Sequence, residues 1–297
     1  MKTLPKGIYP ALVTPFRGET FDAEGYSKNI QRWNSTGLAG YLALGSNGEG
    51  VLLTDDEAIR VVEAAQQNRS NGKALIAGTG RESTRRTIEL TRRSARAGAD
   101  AVLVVPPSYY RSAMSDAALE AHYNAVADAS EVPVLLYHVP KFSPVNFTAR
   151  LILALAKHPN IVGLKETSGD VTLFSAVLRE RPDGFLLFMG TGSLLYTSFA
   201  QGCDGSICAI ANVTPNECVQ IWELVRQGKL REAQAIQWRI DPVNHLVTVA
   251  HGISGLKHAV NLLGYAGGNA LRPLEPVGQK AAEEIRAALV TADLLAS

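Results

Sequence analysis

Eight short apolar runs recur along the 297-residue chain, and helix-like stretches separate them. The runs are Ile8–Val13, Gly40–Leu44, Ala74–Ala77, Ala101–Val105, Val134–Tyr137, Ile161–Leu164, Phe185–Met189 and Gly205–Ala209. Most are apolar throughout, which is typical of strands buried on both faces of a parallel sheet. Such an α/β alternation gives either a doubly wound sheet or an eightfold barrel. Eight runs at near-even spacing favour the (β/α)8 TIM barrel, which takes about 250 residues.

Two segments have the pattern of a helix start. Thr54-Asp-Asp-Glu57 predicts a capping box, and Thr214-Pro-Asn-Glu217 predicts a second, with proline at the first helical position. No strand-like run follows residue 228, and the remaining chain looks helical. We therefore expect a barrel over residues 1–227 and a C-terminal helical extension, packed on the barrel, over residues 228–297.

Composition excludes several classes of protein. Lys and Arg number 29 against 28 Asp and Glu, so the chain lacks the basic excess of a nucleic-acid-binding protein. Three cysteines predict no disulfide framework and indicate a reducing compartment. No apolar run approaches the roughly 18 residues of a membrane span, and Pro5 and Pro10 interrupt the region where a secretory signal would lie. We expect a cytoplasmic protein with no membrane partner.

Lys165 is the sharpest single candidate for chemistry. TIM barrels place their active sites at the carboxyl ends of the strands, and Lys165 directly follows the run Ile161–Leu164. Burial at such a place favours the neutral amine, and a neutral amine can attack a ketone to form a Schiff base. The alternative is a lysine that extends from a strand end into solvent.

Tyr137 closes the preceding apolar run, one strand–helix unit before Lys165. Adjacent parallel strands lie about 4.8 Å apart, so the two side chains can face one reacting carbon. A phenol there can move protons during imine formation and carbon–carbon cleavage. The alternative is an ordinary tyrosine at the barrel rim.

The second run ends in Gly45-Ser-Asn-Gly-Glu49. The backbone N–H groups of such a turn can form an anion-binding concavity, although a plain tight turn is the alternative. The segment lacks the Gly-Lys-Ser/Thr ending of a phosphate-binding loop. None of the six histidines forms a His-Glu-x-x-His pair, and the cysteine spacing is irregular, so a metal-dependent aldolase is disfavoured.

Four segments together resemble the pyruvate-dependent class I aldolases, the family of dihydrodipicolinate synthase and N-acetylneuraminate lyase. They are Gly45–Glu49, Pro107-Ser-Tyr-Tyr110, Tyr137-His-Val-Pro140 and Gly163-Leu-Lys-Glu-Thr167. The resemblance covers nearly the whole chain and implies an eightfold barrel with a C-terminal helical extension. It also implies a covalent lysine imine with no cofactor and no metal. The substrates would be pyruvate and an aldehyde, and the assembly would be a homotetramer built from tight dimers.

The resemblance also implies a role for each site residue. Lys165 would be the Schiff-base lysine and Tyr137 the proton-moving phenol, with Ser46 relaying a proton to it. Ser46, Asn47 and Gly48 would hold the carboxylate of pyruvate. Tyr110 would enter the site of a neighbouring subunit, with Tyr109 as the alternative. Gly190 and Ile207 would line the pocket near Lys165.

The departures from the family pattern narrow the substrate. Dihydrodipicolinate synthases place an arginine five residues after the tyrosine, and this chain has Phe142 there. Gly45–Glu49, the run Tyr109-Tyr-Arg111 and Asn160–Lys165 look most like 4-hydroxy-2-oxoglutarate aldolases, which form pyruvate and glyoxylate. Thr167 is the candidate contact for the distal carboxylate. The alternatives are dihydrodipicolinate synthesis, an aldolase or dehydratase for a 2-keto-3-deoxy sugar acid, and a non-catalytic barrel that only binds a 2-oxo acid.

Overall fold

The computed structural model describes residues 4–296 and contains a barrel of eight parallel strands. Residues 4–296 form ten strands, of which β2 and β3 make a separate hairpin and the other eight make the barrel. In chain order they are β1 (Gly7–Pro10), β2 (Phe16–Arg17), β3 (Thr20–Phe21), β4 (Gly40–Ala43), β5 (Ala74–Gly78), β6 (Ala101–Val104), β7 (Val134–His138), β8 (Ile161–Glu166), β9 (Leu186–Met189) and β10 (Gly205–Cys208). The order around the barrel is β1-β10-β9-β8-β7-β6-β5-β4, and a parallel bridge between Ala11 and Leu42 joins its two ends. The fold is therefore the predicted TIM barrel.

Helices surround this barrel and continue beyond it. They are α1 (Ala23–Trp33), α2 (Asp55–Asn68), α3 (Thr84–Arg96), α4 (Asp116–Ala129), α5 (Ala149–Leu155), α6 (Val171–Glu180), α7 (Leu195–Ala200), α8 (Pro215–Arg226), α9 (Leu230–Asn244), α10 (Gly252–Leu262) and α11 (Gln279–Thr291). A π-helical segment, His245–Ala250, joins α9 to α10. None of the helices between residues 4 and 296 is long and apolar enough to cross a membrane.

The core has two layers because each barrel strand buries both faces. One layer fills the barrel interior and includes Tyr9, Leu103, Leu135 and Phe188. The other layer lies between the strands and the surrounding helices. It contains the strand residues that alternate with the interior ones, such as Val102, Val104 and Leu136. This double burial is the physical reason why the strands read as continuous apolar runs.

Local sequence signals predicted most of these elements, with one error and one omission. The Thr54 capping box is present, with both the side-chain and backbone bonds to Glu57. The prediction of a capping box at Thr214 was wrong. Helix α8 begins with Pro215 as predicted, but the Thr214 hydroxyl donates to the Ile210 carbonyl and does not cap the helix. The antiparallel β2–β3 hairpin was not predicted, because its strands are only two residues long.

The chain after α8 is helical and packs back on the barrel. Asn29 on α1 exchanges two hydrogen bonds of 2.8 Å with the backbone of Ala266. Lys141, in the loop after β7, donates to the Thr248 carbonyl at 3.0 Å. The extension therefore contacts both the helical layer and a loop at the carboxyl end of the barrel. Residues 1–3 and 297, at the outer ends of the two predicted regions, lie outside the described part of the chain.

Candidate active site

Lys165 and Tyr137 lie side by side inside the barrel. Both fall within their strands rather than after them, and the β7–β8 register pairs them directly. Lys165 Nζ lies 4.2 Å from the centroid of the Tyr137 ring. Both side chains are buried, and Phe188 is the in-register neighbour of Lys165 on β9. The structure thus brings together the two residues that the sequence selected for imine chemistry.

The surroundings of Lys165 differ from those of the other buried lysine, Lys257. The two residues are 2% and 1% exposed, respectively. Lys257 forms an ion pair with the Glu49 carboxylate, whereas none of the ion pairs formed within residues 4–296 involves Lys165. The Lys165 amine is therefore buried beside the Tyr137 ring without a carboxylate counter-ion from the described part of the chain. The alternative of a solvent-exposed lysine at the strand end is wrong.

The Gly45–Glu49 loop brings a hydroxyl to Tyr137. Its central residues form a single 3-10 turn, Ser46–Gly48, in which the Gly48 N–H donates to the Gly45 carbonyl at 2.9 Å. Ser46 Oγ lies 3.4 Å from Tyr137 Oη, and either oxygen can be the donor. This contact is long for a hydroxyl pair, which is common for catalytic hydrogen bonds before substrate binds. The arrangement places the Ser46 and Tyr137 hydroxyl groups within hydrogen-bond distance of each other.

A second pair of side chains fixes the ends of the same two strands from outside the barrel. His138 pairs in register with Glu166, and because side chains alternate along a strand, both face away from the interior. His138 Nδ1 lies 2.5 Å from Glu166 Oε2, while the Phe147 N–H donates to His138 Nε2 at 3.2 Å. Only a neutral imidazole with the proton on Nδ1 satisfies both contacts.

His138 and Glu166 were not among the predicted site residues. The signal was nevertheless present, since each is an ionisable residue directly after a candidate catalytic residue at the end of an apolar run. Both side chains are buried, and Glu166 also accepts a hydrogen bond from the Ser168 N–H. We interpret the pair as a support for the strand ends that carry Tyr137 and Lys165.

Thr167, Gly190 and Ile207 lie at the ends of neighbouring strands. Thr167 Oγ1 is buried and has no hydrogen-bond partner within residues 4–296. A Cβ atom on Gly190 would collide with Thr167 Oγ1, so only glycine allows the hydroxyl its position. Ile207 is fully buried in the barrel interior. The Thr167 hydroxyl is therefore a buried polar group without a hydrogen-bond partner among the described residues.

The remaining predicted residues lie on the surface near the barrel mouth. Tyr109 and Tyr110 are 80% and 71% exposed, with their rings 5.0 Å apart and nearly perpendicular. Glu82 accepts hydrogen bonds from the N–H groups of Ser108 and Tyr109, both at 2.9 Å, and so fixes this loop. Phe142 is 51% exposed. Among residues 4–296, no cluster of three or more His, Cys, Asp or Glu side chains is placed to hold a metal ion.

Comparisons with known proteins show the family to which the chain belongs. The model of the Dihydrodipicolinate synthetase family matches residues 4–292. The chain is 34% identical to the 4-hydroxy-tetrahydrodipicolinate synthase of Methanoculleus marisnigri, over 96% of this chain and 98% of that one. It is 39% identical to a probable mitochondrial 4-hydroxy-2-oxoglutarate aldolase of Emericella nidulans, over 80% and 78% of the two chains. It is 36% identical to the L-threo-3-deoxy-hexylosonate aldolase of Hypocrea jecorina, over 93% and 92%.

Solved structures of dihydrodipicolinate synthases superpose on the whole barrel. The enzyme of Cyanidioschyzon merolae, solved with lysine bound, has a TM-score of 0.94 at 29% identity and covers 99% of this chain and 100% of its own. Relatives named as synthases and as aldolases therefore share this fold and most of this length. The chain belongs to the Dihydrodipicolinate synthetase family, as its four motifs predicted, and is a carbon–carbon lyase of the aldolase type.

Proposed function

We propose that this enzyme cleaves 4-hydroxy-2-oxoglutarate to pyruvate and glyoxylate through an imine on Lys165. The observation that carries the proposal is an unpaired, buried lysine beside a tyrosine whose hydroxyl is linked to Ser46. The reaction needs no cofactor and no metal, because the lysine itself supplies the electron sink. Ser46 and Asn47, on the turn that also contains Gly48, would hold the carboxylate next to the reacting ketone.

The proposed reaction begins with attack by neutral Lys165 on the C2 ketone. Tyr137 delivers the proton with which the C2 oxygen leaves as water, and this gives an iminium ion. The C3–C4 bond then breaks, its electron pair moves toward the iminium nitrogen, and the C4 hydroxyl loses its proton to the Tyr137–Ser46 path. Glyoxylate leaves as the aldehyde. The remaining enamine is protonated at C3, and hydrolysis releases pyruvate and restores the lysine.

The groups at the far end of the pocket support a small acceptor. Phe142 cannot give a carboxylate the bidentate contact that an arginine offers. Lys141 is engaged with the Thr248 carbonyl of the extension. Thr167, with its free buried hydroxyl, is the hydrogen-bond donor that we assign to the distal carboxylate. One neutral donor suits a two-carbon aldehyde acid better than an amino acid semialdehyde, which carries more charged groups.

An acceptor panel tests the substrate. Pyruvate is combined with glyoxylate, glyceraldehyde or aspartate semialdehyde, and kcat/KM is measured in the condensation direction. We expect glyoxylate to exceed both other aldehydes by at least about tenfold, because one well-placed polar contact is worth about 1–3 kcal/mol. As a matched control, Thr167→Val should lower kcat/KM for glyoxylate while leaving the trapping of pyruvate alone unchanged.

Other outcomes of the panel favour the alternatives. Best turnover with glyceraldehyde would support a sugar-acid aldolase, a function that the name of the Hypocrea jecorina relative makes the second candidate. Best turnover with aspartate semialdehyde would support 4-hydroxy-tetrahydrodipicolinate synthesis. Binding of pyruvate without any borohydride-trapped adduct would support a non-catalytic 2-oxo-acid-binding barrel.

We further propose that the cytoplasmic form is a homotetramer, a dimer of dimers, in which Tyr110 completes a neighbouring subunit's site. Two adjacent exposed tyrosines on a fixed loop are typical of an interface. Co-expression of Lys165→Ala and Tyr110→Ala chains tests this. Each variant alone should be impaired, and mixed oligomers should regain activity because one site then holds both native residues. Recovery would not occur if Tyr110 acted in its own subunit.

A further inference from the structure

Glu49 ends the carboxylate-binding loop in an unfavourable backbone conformation. Its φ is 55° and its ψ is 27°, in the left-handed region that L-residues other than glycine rarely adopt. Leu44, which precedes the loop, also has a left-handed φ of 60°. A glycine at position 49 would relieve this strain, so contacts of the glutamate side chain must offset it.

Those contacts come from the C-terminal extension. The Leu271 N–H donates to Glu49 Oε2 at 2.6 Å across 222 residues of sequence. Lys257, on α10, forms an ion pair with Glu49 Oε1, and both side chains are buried. The same ammonium group donates to the Asn269 carbonyl at 2.8 Å and lies 4.4 Å from the centroid of the Phe16 ring.

The ion pair with Glu49 offsets part of the cost of burying the Lys257 ammonium group. Desolvation lowers the pKa of the Lys257 ammonium group, and the Coulombic attraction and hydrogen bond of Glu49 oppose that effect. The carboxylate in turn has a cation on one oxygen and a backbone donor on the other. Removing one partner would leave the other charge buried without compensation.

The cluster is three residues from the hydroxyl that serves Tyr137. On the loop, the Gly48 carbonyl is held by the Thr14 hydroxyl at 2.8 Å, and Ser46 contacts Tyr137. The loop is therefore fixed from the barrel at Gly48 and from the extension at Glu49. A shift at Glu49 would change the directions of the Ser46 and Asn47 donors.

We propose that Glu49 and Lys257 are positioning residues through which the C-terminal extension holds the Gly45–Glu49 loop in the shape that binds the carboxylate of pyruvate. This inference rests on the proposed imine chemistry. It makes the extension part of the catalytic apparatus, although no residue of the pair touches the reacting atoms.

The test measures the pyruvate concentration that gives half-maximal borohydride trapping. The variants are Glu49→Gln, Lys257→Met and the double variant. Only the double variant removes both charges, so that neither partner is left with an uncompensated charge. Asp204→Asn is the matched control, because Asp204 is a buried carboxylate that pairs with Arg181 and accepts from the Leu187 N–H at 2.9 Å, next to the opposite end of β10. We expect the half-saturating concentration to rise about tenfold in the double variant and to stay unchanged in Asp204→Asn.

Thermal unfolding separates positioning from stability. If Glu49 and Lys257 had a purely structural role, the variants would have a lower Tm and less trapped adduct. The folded molecules would still be half-saturated at the same pyruvate concentration as the wild type. An unchanged half-saturating concentration in a folded Glu49→Gln or double variant would overturn the inference and leave the imine chemistry intact. If the wild-type enzyme itself traps no pyruvate, the proposed function fails instead.

Discussion

We expect the Lys165→Ala variant to lose the borohydride-trapped pyruvate adduct and to lower kcat/KM by about four orders of magnitude or more, because a covalent nucleophile is lost. Among residues 4–296, the other buried lysine is Lys257, whose amine is paired with Glu49. Alanine leaves the neighbouring Tyr137 ring in place, so the barrel should still fold. Intact mass and peptide mapping of the trapped adduct, with steady-state kinetics, measure the effect.

The matched control for this substitution is Lys257→Met. It removes the other buried ammonium group, and it should keep the adduct on Lys165 although at higher pyruvate concentrations. An adduct that persists in Lys165→Ala, or one that maps to Lys257, would show that the imine forms elsewhere. Lys165→Arg is a useful third variant, because it keeps a long basic side chain that cannot form an imine.

The barrel and the Lys165–Tyr137 pair were predictable from sequence because both depend on short-range patterns. Strands buried on both faces read as apolar runs, so their order predicted the fold and the residues at their ends predicted the candidate site. The one-unit spacing between Tyr137 and Lys165 became direct register pairing, since consecutive strands of a barrel are neighbours. These inferences needed no knowledge of long-range packing.

The supporting contacts were not predictable in the same way. Nothing local indicates that Glu49 meets Lys257 and Leu271, because the pairing depends on how the extension returns to the barrel. The wrong prediction of a cap at Thr214 has a related cause, since the buried Thr214 hydroxyl donates to the Ile210 carbonyl and does not cap the helix terminus. Which polar groups pair in a core is decided by three-dimensional neighbours rather than by motif.

Replacing Tyr137 with phenylalanine should lower kcat by about 10²- to 10⁴-fold, the usual contribution of a positioned acid–base group. The ring that lies against Lys165 remains, and only the hydroxyl beside Ser46 is lost. Tm should therefore change little, since the phenol is buried in the barrel interior and the substitution keeps its volume. Single-turnover trapping should be slow at saturating pyruvate, because imine formation itself requires proton transfer.

Ser46→Ala supplies the comparison that assigns the proton path. We expect a smaller loss, about tenfold, because its 3.4 Å contact with Tyr137 is weak before substrate binds and water can replace the hydroxyl. If the two hydroxyl groups act as one relay, the double variant Tyr137→Phe/Ser46→Ala should be about as slow as Tyr137→Phe alone. Losses that multiply would instead indicate that Ser46 acts on the carboxylate independently of Tyr137, because a relay without its phenol has no further activity to lose.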